Sequence, residues 1–417
     1  MKRSCICLIT ILALCMMSVT TGCTAFRVKQ DIWRVERAVE IRGEVTGADK
    51  GKPVIVVLVR DDGRKKVIRN YSVRYGPGSF RFLLTPGSAY LFAFEDRNGD
   101  LHYQKGERAA WFGGTTPQKI TLKDGEISEG LVIKLSMDVP EGTDEVVRPE
   151  KTEEEATLGR VKVSRGQVVS LDDPRFTEDK GKEGLWQPVH SAILNGYGLY
   201  FLGPYDPARV PVVFVHGVGG YAQEFRTIIE HLDKTKFQPW VFQYPSGLGL
   251  DVLGNELVQA IVELYAKYRF DRLVIVAHSM GGLVSRAAVN QIVNQYPNHP
   301  IKLFVSISTP WDGVDTARLG VDYSPVVVPA WKDVVPESPF LQGLFERPLS
   351  PSVPYYLMFG VVGGDGTDGS VPLTSVISLH AQDDAIRIYG YPETHTSILR
   401  SSAMIERLNT LLRQKAL

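Results

Sequence analysis

The strongest chemical signal in this sequence is a serine placed between an apolar segment and the start of a helix. The segment "VIVAHSMGGLVSR" carries Ser279, with Ala277 two residues before it and Gly281 two residues after it. Small residues there permit the tight strand-to-helix turn that projects a nucleophilic serine in the pattern G-x-S-x-G, here with alanine in the first place. The helix N-terminus adds a partial positive charge beside the hydroxyl group. We therefore predict that Ser279 is a nucleophile rather than a helix cap.

A second, glycine-rich segment could hold the negative charge that develops when a serine attacks a carbonyl group. The segment "VVFVHGVGG" places His216 to Gly220 directly after an earlier apolar strand. An oxyanion hole needs backbone N–H groups aimed at that charge, and glycines let the backbone approach the substrate oxygen. We predict that the N–H groups of Val218 and Met280 form this hole. We expect His216 to hold the loop by hydrogen bonding and not to act as a base.

A nucleophilic serine also needs a histidine that takes its proton and an acid that orients the histidine. In proteins with this serine turn, the acid and then the histidine follow the serine along the chain. Asp365 and Asp368 lie in a glycine-rich loop after the apolar segment "YYLMFG", and either could be the acid. Of the eight histidines, only His380 and His395 come later. His380 precedes the last predicted strand, at the wrong edge of the sheet, so we predict His395 as the base.

The elements that must position these residues alternate between strand and helix. Continuous apolar strands alternating with helices indicate a mostly parallel sheet covered by helices on both faces. Such sheets bind ligands beyond the carboxyl ends of their strands, where the candidate residues fall. We assign this domain to residues 158–417. The predicted strands are "VPVVFV", "WVFQY", "LVIVA", "KLFVSIS", "YYLMFG" and "AIRIYG", and the predicted helices are Tyr221 to Leu232, Asp251 to Tyr268, Ser279 to Gln295 and Thr396 to Arg413.

These segments together resemble the α/β-hydrolase lipases and serine esterases. The resemblance rests on "HGVGG", "AHSMGG", "DGSVP" and "THTSIL", covers about residues 185 to 415, and is closest to the group that includes bacterial triacylglycerol lipases and inositol deacylases. It implies an α/β-hydrolase fold and hydrolysis of a lipid or other acyl ester through an acyl-enzyme, without a metal or organic cofactor. It also implies Asp368 as the acid, because "DGSVPLTS" resembles the D-G-x-V-P loop that carries the acid in many lipases. An acyltransferase with the same residues, or an envelope-binding protein without activity, are the alternatives.

Residues 1–23 are expected to be a secretory signal. Lys2 and Arg3 precede an apolar run that is too short for a comfortable membrane span, and the run ends in "TTGC". This end resembles a bacterial lipobox, which implies lipidation of Cys23; plain cleavage or an uncleaved anchor are the alternatives. All four cysteines lie in this segment, so the exported protein lacks a disulfide and a catalytic thiol. We expect a lipoprotein of the bacterial cell envelope, and Thr24 favours the outer membrane.

Residues 36–137 are expected to form a separate all-β module. Short apolar segments separated by turn residues predict an antiparallel sandwich. The order of the segments resembles the transthyretin-like or carboxypeptidase-regulatory domains. Residues 138–157 are acidic and lack apolar periodicity, which predicts a solvated linker. The four predicted strands of the module are Val54 to Val59, Phe80 to Leu84, Tyr90 to Phe94 and Leu131 to Leu135.

Two further features concern possible ligands. Residues 311–353 are inserted between two predicted strands and are rich in apolar side chains, which suits either a cap over an acyl chain or ordinary packing against the sheet. The formal net charge of zero gives no bulk attraction to nucleic acid, so no nucleic-acid partner is expected. One loop of the β module has the spacing of a calcium loop or of a polar hairpin turn, with its oxygen-bearing side chains at Asp96, Asn98, Asp100 and Glu107.

Overall fold

The protein is represented by a computed structural model. It describes residues 22–61, 66–139, 143, 163–296, 298–349, 351–364 and 366–417. Of the predicted signal, residues 1–23, only positions 22 and 23 fall within these ranges. Of the predicted linker, residues 138–157, only positions 138, 139 and 143 do so. Within the described ranges, no helix has both the length and the apolar character needed to cross a lipid bilayer.

Helix α1 (Gly22–Glu36) precedes both domains and was not predicted from the sequence. The carboxylate of Asp31 accepts hydrogen bonds from the N–H groups of Val189 at 2.8 Å and His190 at 2.9 Å. These groups belong to the first turn of α3 (Pro188–Asn195), where N–H groups lack intrahelical acceptors. Asp31 therefore satisfies the start of α3 and fixes α1 to the C-terminal domain.

The β module consists of two sheets that enclose an apolar core. One sheet has the strand order β4-β1-β8, and the other has the order β3-β2-β5-β6, with β7 pairing to β5. The strands are β1 (Val39–Thr46), β2 (Pro53–Asp61), β3 (Lys66–Tyr75), β4 (Gly78–Leu84), β5 (Gly87–Glu95), β6 (Ala109–Trp111), β7 (Ile120–Leu122) and β8 (Ile127–Lys134).

The prediction of an antiparallel sandwich is wrong at one pair of strands. Strands β1 and β8 run parallel, with register from Glu40 opposite Ile127 to Thr46 opposite Lys134. The chain reaches β8 from β7, which pairs with β5 of the other sheet. Because no hairpin joins β1 to β8, their direction is not constrained to alternate.

The C-terminal domain is built on an eight-stranded sheet with the order β16-β15-β14-β13-β11-β12-β10-β9. Neighbouring strands are parallel, except for the antiparallel pair β10 and β12. The strands are β9 (Val163–Val168), β10 (Tyr197–Phe201), β11 (Val210–Val215), β12 (Phe237–Gln243), β13 (Leu273–His278), β14 (Ile301–Ile307), β15 (Tyr355–Gly360) and β16 (Arg387–Tyr391).

Helices cover both faces of this sheet, and a separate apolar core lies between the sheet and the helices on each face. The domain therefore has the α/β-hydrolase fold, as predicted. Its α-helices, besides α3, are α2 (Glu178–Trp186), α4 (Arg226–Glu230), α5 (Leu250–Tyr268), α6 (Met280–Gln295), α7 (Asp315–Tyr323), α8 (Pro329–Val334), α9 (Pro339–Leu344), α10 (Leu373–Val376), α11 (Leu379–Asp384) and α12 (Ser402–Lys415).

Two predicted helices differ from those observed. The helix expected from Tyr221 begins instead as a 3₁₀ turn over Ala222–Phe225, where the Ala222 N–H donates to the side chain of Gln243 at 3.0 Å. The helix expected from Thr396 also begins as a 3₁₀ turn, and α12 starts only at Ser402.

The five-stranded sheet of the β module packs against helix α5 of the C-terminal domain. The ring of Tyr75 meets that of Tyr265 with centroids 5.4 Å apart. Alongside this apolar contact, the Ser72 hydroxyl donates to the Gln259 side chain at 2.8 Å. The same apolar core continues from one domain into the other. The β module is therefore held on the C-terminal domain by buried packing together with polar contacts.

Candidate active site

Ser279 lies in the turn between β13 and α6, in a backbone conformation that residues with a side chain rarely adopt. Its φ is 54° and its ψ is −133°. The Ser279 N–H donates to the carbonyl oxygen of Ile307 on β14 at 2.8 Å. A non-glycine residue in such a conformation is strained and persists only where its surroundings hold it. The strained turn places the serine at the carboxyl end of the central strand.

Close backbone approach explains why small residues flank this serine. A Cβ atom on Gly281 would lie 2.3 Å from the carbonyl oxygen of His216 and 2.4 Å from that of Val215. A Cβ atom on Gly217 would lie 2.7 Å from the Cβ atom of Ser279. The helix that follows the serine is thus packed directly against the end of β11, and the glycine-rich loop is packed against the serine itself.

Replacing Gly281 by alanine is expected to destabilise the protein by roughly 1–3 kcal/mol, the usual cost of overpacking a well-packed site. The atoms in the way are backbone carbonyl oxygens, which have little freedom to move. Chemical denaturation of the two proteins measures the difference. Gly343→Ala in α9 is the matched control, because a Cβ atom there meets nothing within 4 Å. Equal stability of Gly281→Ala and the wild type would contradict the close approach.

The loop after β11 contains the predicted oxyanion donor Val218. The next two N–H groups are already used, because Gly219 donates to the Ser246 hydroxyl at 2.8 Å and Gly220 donates to the carbonyl of Gly217 at 3.1 Å. In the described part of the chain, the Val218 N–H has no acceptor. Met280 is the first residue of α6, where an N–H group lacks an intrahelical acceptor. Both residues line the same cleft as Ser279.

His216 is fully buried and holds this loop through both ring nitrogens. Its Nδ1 contacts the carbonyl oxygen of Gly217 at 2.9 Å, and the Tyr244 N–H donates to its Nε2 at 3.3 Å. Nε2 is therefore the acceptor and Nδ1 carries the proton. Burial lowers the pKa of His216, which favours this neutral form. The ring also stacks on Tyr244 with centroids 4.1 Å apart. These contacts are those of a residue that shapes the loop.

His395 and Asp368 form a close side-chain contact. Nδ1 of His395 lies 2.6 Å from Oδ2 of Asp368. The other carboxylate oxygen of Asp368 accepts from the N–H groups of Ser370 at 3.0 Å and Val371 at 2.8 Å. The His395 N–H also donates to the Asp368 carbonyl at 2.8 Å. The two residues are thus joined through both main chain and side chain.

The pKa shifts of this pair favour a neutral imidazole beside an ionised carboxylate. Burial lowers the pKa of His395 from its ordinary value, although Asp368 acts in the opposite direction. Burial alone would raise the pKa of Asp368, but the hydrogen bond from His395 reverses this, and the net direction is downward. Because Asp368 orients the Nδ1 proton, Nε2 of His395 is left free to accept another.

The structure places the alternative base, His380, outside the cleft. His380 lies in α11, before β16, and its ring stacks on Phe345 with centroids 5.5 Å apart. It does not line the cleft that contains Ser279. Asp365, the other candidate acid, lies outside the described residues.

Ser279, His395, Val218 and Met280 line one cleft of about 880 Å³. Within the described ranges, no hydrogen bond joins the Ser279 hydroxyl to the His395 ring. Such contacts are often long in unliganded enzymes and shorten when substrate binds. One wall of the cleft is apolar and comes from residues 311–353, through Val314, Ala317, Gly320, Trp331 and Val334.

Sequence reasoning missed two further cleft residues, Glu224 and His278. They form a buried contact, with His278 Nδ1 3.2 Å from Glu224 Oε1. The histidine directly before the serine was a visible signal. The Glu224 carboxylate gave no such signal, because it lies several residues after the glycine-rich loop and comes close to His278 only in the folded protein.

The acidic loop of the β module uses its carboxylates to hold its own backbone. Asp96 accepts from the N–H groups of Gly99 at 2.7 Å and Leu101 at 3.0 Å. Glu107 accepts from the N–H group of Arg97 at 2.9 Å. Within the described ranges, no group of three or more His, Cys, Asp or Glu side chains could hold a metal ion. These contacts are those of a polar turn.

Comparison with known proteins agrees with the chemistry of this cleft. Residues 211–335, which carry the glycine-rich loop and the serine turn, match the family described as "Putative serine esterase (DUF676)". The protein is a serine ester hydrolase. Its C-terminal domain has the α/β-hydrolase fold. No curated protein matches the chain.

Several solved structures share part of this fold. The mature Bacillus licheniformis lipase BlEst2 is 20% identical, with a TM-score of 0.42, and the match covers 51% of this chain and 97% of the lipase. Aspergillus fumigatus lipase B is 15% identical, with a TM-score of 0.41 and coverage of 52% and 56%. A Listeria innocua protein is 18% identical, with a TM-score of 0.39 and coverage of 49% and 94%.

Proposed function

We propose that the protein hydrolyses carboxylic esters through an acyl-enzyme formed on Ser279. The observation that carries this proposal is the 2.6 Å contact between His395 and Asp368 in the cleft that Ser279 lines. A buried carboxylate on Nδ1 leaves Nε2 of the histidine as the base that a serine hydroxyl needs. A strained turn at the serine and free N–H groups nearby complete the requirements for acyl transfer.

In the first half of the reaction, the hydroxyl oxygen of Ser279 attacks the ester carbonyl carbon while its proton passes to Nε2 of His395. The N–H groups of Val218 and Met280 hold the negative oxygen of the tetrahedral intermediate. The intermediate collapses, the carbon–oxygen ester bond breaks, and the departing alcohol takes the proton from His395. Water then repeats the sequence on the acyl-enzyme, which releases the acid and restores Ser279.

The apolar wall of the cleft supports a substrate with an extended acyl chain, such as a lipid. Trp331 of α8 lines this wall and packs edge-on against Trp186, with ring centroids 5.4 Å apart. A polar contact also holds this wall in place, because the Asp333 carboxylate accepts a hydrogen bond from the Leu250 N–H group at 2.7 Å. We therefore favour the cap interpretation of this insertion over simple packing.

Trp331→Ala is expected to lower kcat/KM for long-chain esters by about 10-fold or more while changing it little for short-chain esters. The substitution removes apolar contact area that only a long chain reaches. A series of p-nitrophenyl esters of increasing acyl length measures the effect. Trp33→Ala is the control, because Trp33 is exposed on α1 and does not line the cleft. Equal losses on all chain lengths would refute the cap.

For location, we propose an exported lipoprotein of the cell envelope, anchored through lipid on Cys23 and most consistent with the outer membrane. Helix α1 supports a position at a membrane surface. Phe26 and Trp33, seven residues apart, are 66% and 52% exposed, and Lys29 and Arg34 are also exposed. Exposed aromatic and basic side chains on one helix are typical of segments that lie among lipid headgroups.

The test of the proposed function is labelling with a fluorophosphonate probe, followed by product analysis. The probe is expected to modify the wild-type protein at Ser279, as located by peptide mass spectrometry. Free fatty acid is expected as the product in the presence of glycerol. Transfer of the acyl group to glycerol would instead indicate an acyltransferase, and absence of labelling would indicate a protein without this activity.

A further inference from the structure

A buried pair of ionisable side chains, Glu224 and His278, lies beside the nucleophile and is not part of the proposed triad. Nε2 of His278 is 2.8 Å from the main-chain carbonyl oxygen of His395, and Nδ1 is 3.2 Å from Oε1 of Glu224. The side chains of His278 and Glu224 are only 5% and 14% exposed. His278 ends β13, and Glu224 lies in the 3₁₀ turn over Ala222–Phe225.

The two contacts limit the protonation states that His278 and Glu224 can have together. A carbonyl oxygen can only accept a hydrogen bond, and so can an ionised carboxylate. If Glu224 is ionised, a neutral imidazole with its single N–H group would leave one of these contacts without a proton, so both contacts require an imidazolium ion. A protonated Glu224 that donates to a neutral His278 is the other arrangement that satisfies both contacts. The raised pKa of His278 and the lowered pKa of Glu224 favour the first arrangement, a buried ion pair.

The pKa directions agree with this assignment. Burial alone would lower the pKa of His278, but Glu224 reverses the effect and the net direction is upward. Burial alone would raise the pKa of Glu224, but His278 reverses it and the net direction is downward. The stability due to His278 is lost only as pH rises through its raised folded pKa. The stability due to Glu224 is lost only as pH falls through its lowered folded pKa, so the pair is intact between these two folded pKa values.

The other ionisable groups around the pair do not replace either charge. His216 is held neutral by its own contacts, and Tyr244 is a buried phenol whose pKa burial raises. Asp368 is already bonded to His395. The ring of His395 lies with its centroid 4.8 Å from that of His278, and the positive charge of His278 lowers its pKa. Glu224 is thus the carboxylate that balances His278.

We propose that this ion pair positions His395 through its main-chain carbonyl, an inference that rests on the proposed role of His395 as the base. His395 follows β16, which is the last strand of the sheet and has a neighbour on one side only. Its loop therefore lacks support from a further strand. The His278 contact supplies that support from the serine turn, and Glu224 extends it to the segment after the oxyanion loop. One ion pair thereby connects the serine turn, the His395 loop and the segment after the oxyanion loop.

The charge state is tested by nuclear magnetic resonance of the full-length protein labelled with ¹⁵N-histidine. In the wild type at neutral pH, His278 is expected to show two protonated ring nitrogens, identified by their loss in His278→Gln. In Glu224→Gln, burial is no longer opposed by a carboxylate, so His278 is expected to lose one proton. A singly protonated His278 in the wild type at neutral pH would overturn the proposal.

The positioning role is tested by kinetics on a soluble short-chain ester. His278→Gln is expected to lower kcat by about 100-fold with little change in KM, the scale of loss caused by a displacement of roughly 1 Å. The double variant Glu224→Gln/His278→Gln should lose no more than His278→Gln, because the pair acts as a unit. His231→Gln is the matched control, since His231 is exposed and lies outside the cleft.

The outcomes separate this inference from the proposed function. A folded His278→Gln protein with wild-type kcat would refute the positioning role even if Ser279 is labelled. Failure of the wild type to react with a fluorophosphonate, together with a doubly protonated His278, would refute the esterase mechanism while leaving the ion pair in place. Circular dichroism of each variant establishes that loss of activity does not reflect unfolding.

Discussion

Ser279→Ala is expected to reduce kcat for ester hydrolysis by about 10⁶-fold, the scale on which removal of a serine nucleophile acts in enzymes of this mechanism. The hydroxyl is the only group at this turn that can form the acyl-enzyme, and alanine leaves the strained backbone without one. The residual rate should come from the oxyanion donors and from substrate binding. Initial rates on an acyl-chain-length series of esters measure the loss across substrates.

A second serine of the same helix supplies the control. Ser285 is fully buried in α6, and its hydroxyl has no hydrogen-bond partner among the described residues. Ser285→Ala should therefore leave kcat unchanged and should not lower stability, because it removes a buried polar group without a partner. Activity in Ser279→Ala comparable to that of Ser285→Ala would remove Ser279 from the mechanism.

Asp368→Asn is expected to leave the fold intact and to lower kcat by about 10⁴-fold, the scale for an amide in place of the triad acid. The amide oxygen can still accept from the N–H groups of Ser370 and Val371, which preserves the loop. The amide nitrogen would instead face Nδ1 of His395. A donor at that place favours the tautomer with the proton on Nε2, and that tautomer cannot accept the serine proton.

The companion variant Asp365→Asn distinguishes between the two aspartates of the loop. It is expected to retain near wild-type kcat, because we assign the acid to Asp368. Full activity in Asp368→Asn together with its loss in Asp365→Asn would reverse that assignment. Denaturation curves for both variants, measured beside the kinetics, show whether either substitution acts through the fold instead of the histidine.

The candidate nucleophile and the fold class were predictable from the sequence because both depend on local patterns. Gly281 must lack a side chain where α6 meets the end of β11, and this steric demand is visible in the spacing around Ser279. Runs of apolar residues predicted six strands of the parallel sheet. The strands β9 and β10 were not predicted, because polar residues interrupt β9 and a glycine interrupts the short apolar run of β10.

Local sequence patterns also failed to predict features that depend on contacts between distant parts of the chain. The parallel pairing of β1 with β8 depends on a crossover between sheets, which no segment of the sequence encodes by itself. The regular helix expected from Tyr221 begins instead as a 3₁₀ turn, whose first N–H group donates to Gln243 on another strand. Helix α1 was not expected, and it is held by Asp31 at the start of a distant helix.

By itself, the sequence determined the serine turn, the glycine-rich loop, the alternation of strand and helix, and a choice of two aspartates. Only the tertiary structure decided that the Asp368 carboxylate contacts His395, and that Glu224 and His278 pair beside them. The reason is physical. Turns and periodicity are set by neighbours along the chain, whereas these contacts join residues 27 and 54 positions apart, whose proximity depends on the packing of the whole sheet.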